Sequence, residues 1–196
     1  MTPDENVGDD GSLQAVLLAA GYSTRLRPLT EETPKSLLPL GGMSILDHVV
    51  ERLEDIPQIG GFTLVTNAKF HDQFCDWAEA RDLDKPLEIL NDGTTSNENR
   101  LGALKDVRFA MRTSERIGRG GIYLAATDNV PPFDLADIVS LSAEKGGSAV
   151  FACHTDDQDR LQRAGVASLD DENRIVDFEE KPDEPKSDRI VCPFYV

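Results

Sequence analysis

The chain holds only three cysteines in 196 residues, Cys75, Cys153 and Cys192, and no two of them form a C-x-x-C pair. That spacing suggests neither a disulfide framework nor a zinc site, and predicts reduced, mostly buried thiols of a cytosolic protein. Cations are scarce as well: 20 Lys and Arg stand against 36 Asp and Glu, a net charge of -16. A phosphate backbone would be repelled by such a chain, which argues against non-specific nucleic-acid binding; any phosphate must be held locally. No segment approaches the ~18 apolar residues of a membrane span. The N-terminal MTPDENVGDDGS has no apolar run behind a positive region. The expectation is a soluble cytoplasmic protein with neither membrane nor nucleic acid as a partner.

Within the acidic excess, 22 Asp outnumber 14 Glu and 13 Arg outnumber 7 Lys. Surface carboxylates keep a chain hydrated when salt screens repulsion, so the bias predicts salt adaptation. The length suits one domain that hides about 70% of its unfolded surface. Residues 1–11 read as a flexible acidic tail and 12–196 as the domain, with a homo-oligomer compatible with the sequence.

Residues 15–20, AVLLAA, are a continuous apolar run, as expected of a strand covered on both faces in a parallel sheet. A broken stretch with Pro28, Pro34 and Pro39 follows, and Ser44 then opens SILDHVVERLEDI. There Ile45, Val49, Val50 and Leu53 fall near one helical face, with Ser44 as N-cap and Asp47 three residues on. Further strand signals lie at 62–66, 87–90, 121–126 and 148–153, separated by helical patterns at 70–81, 101–112 and 135–144. Such alternation predicts an α/β fold, a doubly wound and mostly parallel sheet in Rossmann-like α/β/α layers, whose ligands sit beyond the carboxyl ends of the strands. Residues 164–169 and 174–179, joined by DDEN, read as a small antiparallel hairpin near the C-terminus.

The loop leaving the first strand carries Arg25, Arg27 and Lys35 in an otherwise acidic chain. Gly21, Ser23 and Thr24 are small enough to turn backbone N–H groups toward phosphate oxygens; Arg25 suits a bidentate contact and Lys35 a point charge. This is an arrangement of triphosphate size. It lacks the G-K-[ST] of a P-loop and the G-x-G-x-x-G of a dinucleotide site. It resembles instead the signature of the sugar-1-phosphate nucleotidyltransferases, G-x-[GSA]-T-R-[LM]-x-P-x-T followed by P-K and an apolar pair. The matching residues are Gly21, Ser23, Thr24, Arg25, Leu26, Pro28, Thr30, Pro34, Lys35, Leu37 and Leu38. PLGGMSILD at 39–47, AGV at 164–166 and FEEKP at 178–182 resemble further segments of that family.

The resemblance implies a GT-A-like nucleotidyltransferase fold and transfer of a nucleotidyl group to a sugar 1-phosphate with release of pyrophosphate. It implies Arg25, Lys35 and Lys181 as catalytic residues, with Ala20, Gly21, Ser23, Thr24, Asn99 and Gly102 on the nucleotide. Asn129, Gly165, Glu180 and Lys181 would face the sugar phosphate. Asp128, a carboxylate at the end of a central strand, would hold Mg²⁺. A second metal carboxylate of the family lies beyond the position of Val196, so a C-terminally truncated domain is expected. Gly102-Ala103 behind Arg100 departs from the better-known members, which leaves the base open. Glucose 1-phosphate with dTTP or UTP is the default pair. A cytidylyltransferase for phosphocholine or an alditol phosphate, and a catalytically silent nucleotide-sugar sensor or assembly subunit, are the rival readings.

Overall fold

The computed structural model describes residues 11–118 and 120–196; the expected acidic tail, Gly11 apart, lies outside the described residues. In chain order the elements are β1 (Leu13–Leu18), β2 (Pro39–Leu40), β3 (Met43–Ser44), α1 (Ile45–Glu54), β4 (Ile59–Thr66), α2 (His71–Glu79), β5 (Leu87–Asn91), α3 (Ala103–Thr113) and β6 (Ile122–Ala126). There follow α4 (Ala136–Lys145), β7 (Val150–His154), α5 (Gln158–Leu161), β8 (Gly165–Leu169), β9 (Ile175–Glu180) and β10 (Arg189–Tyr195).

The parallel half of the main sheet runs β5-β4-β1-β6. β1 lies between two partners, and Ala15, Val16 and Leu17 have no exposed surface, which is why its sequence shows no alternation. A large cluster on one face joins β1 and β4 to α1, α2 and α4 through Leu46, Val49, Leu53, Phe74 and Ile138. A smaller one on the other face sets Val16, Val65 and Leu90 against Ala110 of α3. Helices on both faces make the sheet doubly wound, as the strand and helix alternation predicts.

The antiparallel hairpin is present as β8 and β9, with Gly165 opposite Glu180. It is not a separate unit, because β10 pairs with β8 at Ile190 and with β6 at Phe194 and Tyr195, carrying the sheet from one half to the other. β7 lies against β10, and β2 and β3 form a two-stranded sheet of their own. Among the described residues no helix is long and apolar enough to cross a membrane.

All three cysteines are free thiols, in keeping with the expectation of reduced cysteines, but they are less buried than expected. None of the three is fully buried, and Cys153 and Cys192 meet at 3.2 Å between sulfurs. Residues 39 apart in sequence became neighbours because β7 and β10 pair.

Candidate active site

Between β1 and β6 the strand order reverses: the chain leaves β1 toward β4 and reaches β6 from β5, on the far edge. A crevice opens at such a switch point, beyond the carboxyl ends of the strands. Thr127, directly after β6, donates from Oγ1 to the Leu18 carbonyl at 2.8 Å, and its hydroxyl meets Ser36 Oγ at 2.7 Å. Both residues are buried, so this hydroxyl pair joins the loop after β1 to the end of β6. The joint places their chain neighbours together: Lys35 Nζ donates to Asp128 Oδ2 at 2.9 Å, and Asn129 Nδ2 donates to Asp128 Oδ1 at 2.6 Å. Behind Asp128, the Arg52 guanidinium of α1 donates to the carbonyls of Pro131 and Phe133 and holds the descending chain.

The loop after β1 is pinned along its length. Ala20, buried, accepts from Asn67 Nδ2 at 3.0 Å, while Asn67 Oδ1 accepts from the Phe70 amide. Ser23 adopts a left-handed conformation (φ 45°, ψ 40°) and leads into the tight turn Thr24–Leu26; its carbonyl accepts from Thr30 Oγ1 at 2.8 Å. Farther on, the carbonyls of Glu31 and Glu32 accept from Lys69, just before α2, and from Gln73 in its first turn. Gly21, Thr24 and Arg25 stay exposed on this fixed loop. Tyr22 turns inward, its hydroxyl 3.2 Å from Thr94 Oγ1, and Asp92 Oδ1 accepts from both the amide and the hydroxyl of Thr94 at 2.7 Å. Burial, followed by the nearby carboxylates, raises the Tyr22 phenol. Asn67, Tyr22, Thr94 and Asp92 escaped sequence reasoning; their shared signal is a polar group within a few residues of a strand's carboxyl end.

The loop after β5 folds on itself through Asn99, whose Oδ1 accepts from the amides of Thr95 and Ser96 while Nδ2 donates to Thr95 Oγ1. Gly102 sits at φ 87°, ψ 156°, a region open essentially to glycine, and supplies no side-chain cap to α3. One turn into α3, Asp106 is buried. Burial and then the charge of Asp92 push its carboxyl up to about 6. Asp92 Oδ2 and Asp106 Oδ1 are both buried without a hydrogen-bond partner.

On the hairpin side, Lys181 Nζ lies 2.9 Å from Glu180 Oε1, both side chains exposed, and Lys181 itself has φ 49°. Gly165 has a packing reason of its own: a Cβ there would stand 2.6 Å from the Phe178 ring. Burial and then the Glu180 charge raise the Tyr195 phenol, and Tyr195 is paired with Leu124 of β6. The structure thus joins Lys35, Asp128 and Asn129 directly, and Glu180 with Lys181. Among the described residues no hydrogen bond or ion pair joins these two groups.

A family model described as nucleotidyl transferase matches residues 14–196, nearly the whole chain. The chain belongs to the nucleotidyl transferase family. Among its relatives in that family is the UTP–glucose-1-phosphate uridylyltransferase AglF of Haloferax volcanii, 31% identical over 93% of this chain and 71% of its own length. A glucose-1-phosphate adenylyltransferase of Thermotoga neapolitana is 28% identical over 95% of this chain, and a mannose-1-phosphate guanylyltransferase of Mycobacterium tuberculosis is 27% identical over 94%. The chain spans 46% and 48% of the lengths of these last two relatives. In fold it is similar to a crystal structure assigned to a glucose-1-phosphate thymidylyltransferase of Bacillus anthracis, with a TM-score of 0.75 at 23% identity, covering 94% of this chain and 70% of that one.

The donor set of this nucleotidyl transferase can be tested against a divalent cation. Among the described residues no three carboxylates, imidazoles or thiols converge on one point. Asp128 stands beyond the carboxyl end of β6 with its side chain 41% exposed. A lone carboxylate fits Mg²⁺, which is commonly held by one or two carboxylates with phosphates and water, and does not fit zinc.

Proposed function

We propose that this chain carries the triphosphate site of a sugar-1-phosphate nucleotidyltransferase, and the Lys35–Asp128 pair at the switch point is the observation that carries the reading. An ammonium and a carboxylate that neutralise each other offer little to a neutral ligand. Lys35 would hold a phosphate and Asp128 a divalent cation that accompanies it, so a metal-bound polyanion would replace the one ion pair with two. Arg25, exposed on the same pinned loop, has no ion-pair partner among the described residues and extends the positive field along the triphosphate.

In the reaction a sugar-phosphate oxygen forms a bond to the α-phosphorus as the bond to the β-phosphate breaks and pyrophosphate leaves. That oxygen is already ionised at neutral pH, so the protein's task is alignment and charge neutralisation rather than proton removal. Lys35 holds the α-phosphate and Arg25 the departing β and γ phosphates. The backbone of Ala20, Gly21, Ser23 and Thr24 lines the phosphates, and Asn99 and Gly102 border the base. Lys181 steers the attacking phosphate after leaving Glu180, while Asn129, Gly165 and Glu180 face the sugar. Asp128 would hold Mg²⁺, which would supply positive charge to the triphosphate.

Glucose 1-phosphate with UTP or dTTP is the proposed pair, and the Haloferax uridylyltransferase supports UTP. Pyrophosphate release across a panel of nucleoside triphosphates and phosphorylated acceptors tests it. Release with CTP and phosphocholine or an alditol phosphate would move the acceptor assignment, and binding without release from any pair would make the chain a sensor. Lys35→Ala is expected to lower turnover by about 10²–10³, as loss of a transition-state donor does. Turnover within a few-fold of the unaltered chain would refute the role.

A further inference from the structure

Cys153 of β7 faces Ile190 of β10 in the antiparallel register, and Cys192 lies two residues beyond Ile190, on the same side of the strand. The register slips between Val191 and Tyr195, and the two sulfurs stand 3.2 Å apart, both on partly exposed residues. A disulfide needs its sulfurs at about 2.05 Å, a closure of about 1 Å that side-chain rotation can supply. Cys75 is a built-in control, because its neighbour on α2 is the His71 ring rather than a second thiol.

We propose that Cys153 and Cys192 form a dithiol site which low-molecular-weight disulfides oxidise to an intrachain bond between β7 and β10. Cys153 attacks first, since burial and then the adjacent Cys153 sulfur push the Cys192 thiol up to about 12. The Cys153 thiolate bonds to one sulfur of the reagent and expels the other as a thiolate. Cys192 Sγ then attacks Cys153 Sγ, displaces the second reagent thiolate, and passes its proton to a departing thiolate. Two protein thiols are oxidised by two electrons and one reagent disulfide becomes two thiols. The closed loop encloses α5, β8 and β9, and with them Gly165, Glu180 and Lys181, so oxidation ties together both ends of the segment that faces the acceptor.

The test treats the full chain with oxidised glutathione, quenches with acid, and reads intact mass, peptide map and thermal midpoint. The expected product has lost the mass of two hydrogens, yields one cross-linked peptide pair holding Cys153 and Cys192, and leaves Cys75 open to alkylation. Its unfolding midpoint rises by about 5–15 °C, reversibly with dithiothreitol. Cys192→Ser is expected to stop at a single glutathione adduct on Cys153. Both thiols remaining alkylatable, separate adducts on each, or a dimer linked between chains would overturn the proposal. This outcome is independent of nucleotide turnover.

Discussion

Asp106 is a carboxyl group with 6% of its surface exposed, facing the charge of Asp92 and holding one oxygen without a hydrogen-bond partner. Its folded value of about 6 lies above the ordinary 3.8, so the native state binds the extra proton between those limits. The group therefore favours folding below about pH 4, and that contribution is lost as pH rises through about 6. The ionised form costs on the order of 3 kcal/mol at neutral pH. Asp106→Asn removes the titration and the charge that faces Asp92. Urea unfolding at intervals from pH 4 to 7 should show the decline in the unaltered chain and a flatter profile in the variant. An unchanged slope would remove the assignment.

At the scale of elements, one carboxylate joins two helices. Asp47 closes a capping box with Ser44 at the start of α1, accepts from Trp77 Nε1 of α2 at 2.8 Å, and takes both Nε and Nη2 of Arg81. Burial alone would raise its carboxyl; hydrogen bonds from Arg81, Ser44 and Trp77 outweigh burial and hold it well below the usual range. A depressed acid stabilises the fold above about pH 4, and that contribution is lost only as strong acid protonates it. Asp47→Ala should lower stability by about 2–4 kcal/mol, read as a lower urea midpoint with unchanged slope. Arg81 is 39% exposed, so solvent screening keeps the loss below that of a fully buried pair. The cap was legible in the sequence because Ser44 and Asp47 are three residues apart. Trp77 and Arg81 were not, since nothing local says that the end of α2 returns to the start of α1.

For the whole molecule, the net charge of -16 is carried largely on the surface, with Asp171, Glu172, Asp183 and Glu184 among the exposed carboxylates. Their mutual repulsion opposes the compact state until salt screens it. The thermal midpoint is expected to climb steeply between low and molar KCl, and a flat response would dispose of salt adaptation. The same scale sets the limits of sequence reading for the sheet. The four parallel strands announced themselves as apolar runs between helical patterns. The end of the chain, VCPFYV, also reads as part of a strand and is one, β10; its partners were not legible, because nothing local to RIVCPFY says that it passes between β6, β7 and β8.

The amino-acid sequence by itself carried the signature by which the chain resembles its family: a loop rich in small residues and cations after an apolar strand, and an aspartate after another, are properties of short segments. Tertiary structure decided which of them meet. Reversal of strand order between β1 and β6 carried Lys35 to Asp128 across 93 residues, and strand pairing carried Cys153 to Cys192. The physical reason is range: propensity, capping and periodicity act over a few residues, whereas strand neighbours depend on burial summed over the whole sheet.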